Sequence, residues 1–277
     1  MISVFGATGF VGSRFCQLNK DTIAIDRDSI NPQSKEILYL ISTVDNYNVF
    51  DKPLIDVETN LIHLIKVLEN CKNNKQTIFN FVSSWFVYGK TNDLPAREDS
   101  VCNPTGFYSI TKYAAEKLIS SYCETFGLKY RILRLCNVYG TGDYKASKKK
   151  NAMQFLVNEV IEGRDVNLYN NGQNIRDFMH IDDVCNALSL AIKESNCNDI
   201  INIGSGRPQK ILDIVNYVKQ KVNSQSEFNF IETPHFHKIV QIEDMYLDNS
   251  KLKSLGFVQR ISMNQGLDML INGKKRT

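Results

Sequence analysis

The chain has 277 residues, 43% hydrophobic and 23% charged, and its 33 Lys and Arg against 30 Asp and Glu leave a formal net charge of +3. That length builds one large globular domain or two unequal ones. Acids and bases are mixed, with no basic stripe interleaved with aromatics, which argues against nucleic-acid binding, and no apolar run reaches the length of a membrane span. The seven cysteines (Cys16, Cys71, Cys102, Cys123, Cys136, Cys185 and Cys197) are odd in number and lack CxxC spacing, a pattern of reduced thiols in a cytoplasmic protein. The first strand is expected almost at Met1, with no signal peptide ahead of it.

Residues 2–5 read as a short buried strand. Gly6-Ala-Thr-Gly9-Phe10-Val11-Gly12 follows and opens a helix to about residue 18. A glycine-rich turn between strand and helix lets backbone approach a pyrophosphate, and the helix start supplies unpaired N–H groups and a positive dipole end. The second strand, 22–26, ends at Asp26, 20 residues after Gly6. A carboxylate there can bind both ribose hydroxyls of NAD and repels a 2′-phosphate, whereas the neighbouring Arg27 could accept one, so NAD is favoured over NADP. The alternative for Asp26 is a simple turn cap. Residues 28–37 are polar, and a strand at 37–41 follows at once. No room remains for the helix and third strand of a full doubly wound half, so the cofactor region is expected to be trimmed on its adenine side.

A loop over 42–55 carries Thr43, Asp45, Asn46 and Tyr47. A helix over 55–71 follows, with Ile55, Leu61, Ile62, Ile65 and Leu68 at helical spacing and Asn60 and His63 as its prominent polar residues. A strand at 77–82 runs into Ser83 and Ser84. After a loop over 89–107, a helix is expected from Tyr108 to about residue 126, with Gly127 as its C-cap. A strand at 130–135 leads to Asn137-Val-Tyr-Gly.

Tyr108 and Lys112 are four apart, so on a helix they share a face. A lysine ammonium beside a phenol favours the phenolate, which can exchange a proton with a sugar hydroxyl or ketone. Ser84, at the end of a buried strand, can hold the same oxygen. Taken alone, a YxxxK pair more often lies on an ordinary exposed helix; the neighbouring motifs favour the reactive reading.

From 141 the pattern changes. A turn at 141–144 precedes Lys148-Lys149-Lys150, read as a solvated loop, with contact to a substrate phosphate as the lesser alternative. A helix at 152–162, a short strand at 168–169 and a turn at 170–173 lead to Arg176. A helix then starts near Asp182, its expected N-cap. A buried strand at 200–203, a helix at 210–222, a strand at 228–232 and a last helix near 263–271 complete the chain. His235 and His237 lack a nearby third ligand, so no metal site is assigned.

With these motifs in order, the chain resembles the extended short-chain dehydrogenase/reductase family, in its branch of nucleotide-sugar epimerases, dehydratases and 4-ketoreductases. The resemblance implies an α/β fold: a Rossmann-type doubly wound parallel sheet, here trimmed on the adenine side, with a smaller C-terminal α/β substrate domain. The dinucleotide-binding domain would span 1–145, rejoined by the strand and helix near 178–206, and the nucleotide-sugar domain would take 146–177 and 207–277. Gly6, Gly9 and Gly12, with Phe10 and Val11 between them, match the family's cofactor turn, Asp26 its ribose-binding acid, and Asn60 the asparagine of the helix before the serine strand. Ser84, Tyr108 and Lys112 match its catalytic triad, Tyr108 and Lys112 also facing the cofactor. Asn137 matches an asparagine near the sugar diphosphate, Arg176 the arginine that clamps it, and Tyr169 a residue against the nucleotide base. A fork-shaped cation suits phosphate oxygens.

The resemblance implies hydride exchange between NAD and a nucleotide-sugar C4, as a 4-epimerase in surface-polysaccharide sugar biosynthesis or, alternatively, as a 4-ketoreductase. Trp85 and Phe86 stand where the 4,6-dehydratases carry an Asp-Glu pair, which argues against dehydration. The helices at 55–71 and 108–126 would form a homodimer through a four-helix bundle. A non-catalytic dinucleotide-binding sensor remains the alternative of another class, disfavoured because Tyr108 and Lys112 are both present.

Overall fold

A computed structural model of the chain describes residues 1–44, 46–91, 93–143 and 146–274. Asp45 and Tyr144, which belong to two of the loops expected above, lie outside the described residues. Strand β1 (Ile2–Phe5) turns into helix α1 (Phe10–Leu18), and β2 (Thr22–Ile25) and β3 (Glu36–Tyr39) follow. A short helix, α2 (Asn48–Asp51), precedes α3 (Leu54–Val57), a wide π-type turn at Glu58–Ile62, and α4 (His63–Cys71). β4 (Ile78–Ser84), α5 (Phe107–Phe126) and β5 (Lys129–Leu135) complete the first half. The second holds β6 (Asn137–Tyr139), α6 (Ala152–Ile161), β7 (Val166–Tyr169), β8 (Ile175–His180), α7 (Ile181–Glu194) and β9 (Asp199–Ile203). It ends with β10 (Pro208–Lys210), α8 (Ile211–Val222), β11 (Phe228–Ile231), α9 (His235–Val240), α10 (Ser250–Ser254) and α11 (Met263–Lys274).

Six strands form one parallel sheet in the order β2-β1-β3-β4-β5-β9. Side chains alternate across it. Val4, Leu38, Val82 and Leu133 join α1 and α7 in one core, while Phe5, Ile37, Tyr39, Phe79, Phe81 and Ile132 join α4 and α5 in another. Burial on both faces is why these strands read as near-continuous apolar runs. β3 pairs directly with β1, so the sheet stops at β2, the trimmed edge that the sequence predicts. The segment between β2 and β3 is too short for a helical crossover and another strand. It folds back instead, Gln33 N donating to Ser3 Oγ at 2.9 Å.

A three-stranded sheet, β10-β8-β6, and the β11-β7 pair carry the rest, around a third core that includes Tyr139, Met153, Leu168, Phe178, Val215 and Leu267. One boundary differs from expectation. His180, not Asp182, caps α7: Asp182 N donates to His180 Nδ1 at 3.3 Å, because β8 runs unbroken to His180 and the helix starts one residue later. Asp182 instead pairs with Arg14 of α1 at 2.6 Å. No helix among the described residues is long and apolar enough to cross a membrane.

A buried ion pair ties α5 to β5. Arg134 Nη2 meets Glu116 Oε2 at 2.8 Å, with both side chains 4% exposed or less. Ser83 Oγ donates to Glu116 Oε1 at 2.5 Å, and Arg134 Nη1 donates to the Glu98 carbonyl at 3.1 Å. Removing one partner of such a pair strands the other charge in a low-dielectric interior. Arg134→Met is therefore expected to lower unfolding stability by about 3–5 kcal/mol in urea titrations; a loss under about 1 kcal/mol would mean that water reaches the pair.

Candidate active site

The C-terminal ends of the parallel strands gather the site, as in open α/β sheets generally. After β1 the chain turns at Gly6, whose φ of +81° favours glycine, and Gly9 N donates to Gly6 O at 3.0 Å. A Cβ on Gly12 would fall 2.2 Å from that same Gly6 oxygen. The turn thus accepts only glycine at 12, and it leaves the start of α1, with Gly9 exposed and Phe10 and Val11 half-buried, open along one side. This cradle fits a dinucleotide pyrophosphate. Asp26 and Arg27 follow the end of β2 and are exposed, and the Asp26 carbonyl also accepts Ser29 N at 3.0 Å, so the acid closes a turn through its backbone.

The β4–α5 unit forms the centre. Ser84 ends β4 at 7% exposure and its Oγ accepts Phe86 N at 3.3 Å, capping a short 3-10 turn over Trp85–Tyr88. Tyr108 sits in the first turn of α5, where its backbone N–H donates to Asn46 Oδ1 at 3.2 Å. That contact requires Gly106, since a Cβ there would fall 2.1 Å from Asn46 Oδ1. The Phe86 ring meets the Tyr108 ring edge-on at 6.0 Å and stacks on Trp85 at 3.9 Å, so aromatic carbon fills the positions after Ser84.

Lys112 is buried beneath this centre. Its Nζ donates to Val82 O at 2.6 Å and lies 3.9 Å from the centroid of the Phe81 ring. Burial pushes the ammonium down to about 7, opposed by the field of Glu116. Burial therefore weakens the hold on the ammonium proton that the sequence expectation for Tyr108 relies on, and Glu116 partly restores it.

Ser84, Tyr108, Asn137, Tyr169, Arg176 and Phe10 all line one cavity of about 480 Å³. Asn137 Nδ2 donates to Asp177 O at 3.0 Å, and Tyr169 packs edge-on against His237 at 5.0 Å. Asn60, expected to contact cofactor, makes its hydrogen bonds to protein groups. It is buried in the π-type turn, Oδ1 accepts Ser42 Oγ and Thr43 N, and Nδ2 donates to Thr43 Oγ1 and Thr111 Oγ1, all within 2.9 Å. These bonds tie the loop after β3 to α5. Arg176, expected at the sugar diphosphate, lines the cavity and also bonds to the chain. Its Nη1 donates to the carbonyls of Ile175 at 2.8 Å and Glu243 at 2.5 Å, its Nη2 donates to the Ile242 carbonyl, and burial pushes the guanidinium down to about 10.

Sequence reasoning missed the cavity's roof. Tyr47, Phe50, Phe236 and His237 form an aromatic cluster there, with Tyr47 Oη hydrogen-bonded to His237 Nε2. Lys148, Lys149 and Lys150 line the same cavity. Two aromatic residues at 47 and 50 and two more at 236 and 237 were the available signal, but only the fold joins segments 190 residues apart.

Between about pH 7 and the usual lysine range near pH 10, the unfolded chain binds a proton at Lys112 that the folded chain does not. Stability contributed by this group therefore rises with pH across that window and is lost as pH falls towards 7. The stability difference between wild type and Lys112→Met is expected to shift in favour of wild type by about 1.4 kcal/mol per pH unit there. A flat difference would return Lys112 to an ordinary pKa.

The family model described as "NAD dependent epimerase/dehydratase family" matches residues 31–204. A putative UDP-glucose 4-epimerase of Methanocaldococcus jannaschii is 25% identical over 307 residues, covering 99% of this chain and 98% of the relative. The trifunctional UDP-glucose 4,6-dehydratase/UDP-4-keto-6-deoxy-D-glucose 3,5-epimerase/UDP-4-keto-L-rhamnose-reductase of Arabidopsis thaliana is 27% identical over 244 residues, covering 86% of this chain, which spans only 36% of that longer protein. Among solved structures, the Thermotoga maritima UDP-glucose 4-epimerase with UDP-glucose superposes with a TM-score of 0.88 at 23% identity, over 99% of this chain and 98% of that one. The UDP-glucuronic acid 4-epimerase of Bacillus cereus with UDP-glucuronic acid and NAD gives 0.86 at 23% identity, over 99% of each chain. The glycine turn, the parallel sheet and the matched span together make this chain a member of the NAD dependent epimerase/dehydratase family.

Proposed function

We propose that this protein is an NAD-dependent nucleotide-sugar oxidoreductase acting at sugar C4, as a 4-epimerase. The observation that carries the reading is the convergence of Ser84, Tyr108, Asn137, Tyr169 and Arg176 on one cavity of about 480 Å³, a volume suited to a ligand of nucleotide-sugar size. Gly6, Gly9 and Gly12, with Phe10 and Val11, would hold the pyrophosphate of NAD, and Asp26 its adenosine ribose. When bound, NAD supplies the acceptor for the hydride that leaves C4. Tyr108 takes the proton of the C4 hydroxyl as the C–H bond breaks, Ser84 holds that oxygen, and the same two groups return the proton when hydride comes back to the opposite face. Asn137 and Tyr169 orient the ligand. UDP-hexoses are the first substrates to test, because the relatives named above include UDP-sugar enzymes.

The second reading is a 4-ketoreductase, which delivers hydride once and exchanges its cofactor. The sheet edge at β2 and the exposure of Asp26 favour it, since they leave the adenosine end with little protein over it. Dehydration is disfavoured because Trp85 and Phe86, packed on one another beside Tyr108, have no group that can serve as acid or base. The proposal includes a homodimer through the helical stretch 55–71 and α5, where Ile62, Ile65, Ile110 and Leu118 are 38–46% exposed.

Tyr108→Phe is expected to lower turnover by roughly 10²–10⁴-fold while UDP still binds; unchanged turnover would remove Tyr108 from the chemistry. Mass spectrometry of the purified protein under native conditions separates the two redox readings. Retained NAD is the epimerase outcome, and an exchangeable, empty site is the reductase outcome.

A further inference from the structure

Asn46 stands where the loop after β3 meets the cavity. The loop is pinned on both sides of it: Thr43 N donates to Asn60 Oδ1 at 2.9 Å, and Asn48 Nδ2 donates to Asp56 Oδ1 at 3.2 Å. Asn46 is 7% exposed and lines the cavity together with Ser84, Phe86 and Tyr108. Its amide packs over Gly106, where a Cβ would come 2.1 Å from Oδ1 and 2.9 Å from Nδ2. Support of this kind, from neighbours fixed by their own hydrogen bonds, is what holds a polar group to one orientation in a site.

The start of α5 decides which way the amide faces. The first N–H groups of a helix have no partner within it. Gly106, the N-cap residue, has no side chain to offer one, and Asn46, 62 residues away in the chain, supplies it: Oδ1 accepts the Tyr108 N–H at 3.2 Å. A backbone N–H requires an acceptor, so the amide oxygen is committed to the helix and Nδ2, a donor only, is turned away from that N–H. Among the described residues no acceptor meets Nδ2, and it is not one of the polar atoms sealed in the core without a partner. A donor left unpaired in a desolvated wall gains most from an acceptor that a ligand brings.

We propose that Asn46 is a specificity-determining residue of this cavity, its Nδ2 donating to a hydroxyl oxygen of the hexose beside Tyr108 while its Oδ1 holds the start of the helix that carries Tyr108. This rests on the nucleotide-sugar reading and deepens it. A site built to bond a substrate hydroxyl discriminates against a ligand that lacks it, because the protein donor is then left unpaired. One amide thus ties the presence of the sugar to the placement of the phenol that acts on it.

Two measurements test it. UDP and UDP-glucose are titrated by calorimetry into wild type and Asn46→Ala, and the side-chain amide signal of Asn46, assigned by its disappearance in Asn46→Ala or Asn46→Asp, is followed in nitrogen–proton correlation spectra of wild type. Loss of the cap is expected to lower the thermal midpoint of Asn46→Ala by about 2–4 °C, and Asn46→Asp, which keeps the acceptor, is expected to restore it. Asn46→Ala is expected to bind UDP within about twofold of wild type and UDP-glucose about five- to tenfold more weakly. The wild-type amide signal is expected to move with UDP-glucose and not with UDP. A signal that stays in place with UDP-glucose, or moves as far with UDP, overturns the proposal, and this is read on wild type whether or not the alanine variant folds. An equal effect of Asn46→Ala on the two ligands also overturns it, while UDP binding by wild type leaves the nucleotide-sugar reading standing. If wild type binds none of the glucose esters of UDP, GDP, CDP or dTDP, the contact and the reading beneath it fall together.

Discussion

The bond from the buried Lys112 ammonium to the Val82 carbonyl fastens the helix that carries Tyr108 to the strand that ends in Ser84. Every other element of the site is arranged around that junction. The bond sits two residues before Ser84 and one helical turn after Tyr108, so it fixes the spacing of the two candidate reactive oxygens through backbone rather than through a flexible loop. Placing groups on packed regular elements is how a fold holds them to tight tolerances. The arrangement has a cost: a lysine with almost no water around it prefers to lose its proton.

The surroundings offset that cost. Glu116, one turn further along α5, draws the ammonium back towards its charged form, and is itself held by Arg134 and Ser83. Three charged side chains, Lys112, Glu116 and Arg134, thus form a graded series running from the cavity into the core. Their interior partners are the Val82 and Glu98 carbonyls and the Ser83 hydroxyl. Such a series is stiff, because moving any member exposes an unpaired charge to a medium that solvates it poorly.

How far the sequence could be read depended on the range of the interactions involved. The glycine turn, the helix from Tyr108 and the Gly127 cap follow from local sterics and periodicity. The early stop of the sheet at β2 followed from simple chain length between two strands. Contacts made at long range were not legible. Arg176 in IRDFMH is legible as a cation for phosphate, but its bonds to the carbonyls at 242 and 243, more than sixty residues on, are not. Asn60 looks like a ligand-facing amide, yet its four hydrogen bonds are all internal, including one to Thr111 on another helix. Asp182 has the composition of a helix cap, but the strand before it runs on to His180, and Arg14 recruits the carboxylate instead. The lysine triplet reads as a solvated loop, and Lys148 and Lys149 are exposed; that the loop borders a cavity is visible only in the fold.

The shortened sheet has a further consequence. Stopping at β2 leaves a raw margin of backbone amides and carbonyls, which on a long flat strand would template pairing with another chain. Here the margin is four residues long, and exposed charges stand at both ends, Lys20 and Asp21 before it and Asp26 and Arg27 after it. Brevity and flanking charge are the usual defences against edge-to-edge aggregation, so the economy of one strand is achieved without leaving a sticky flank.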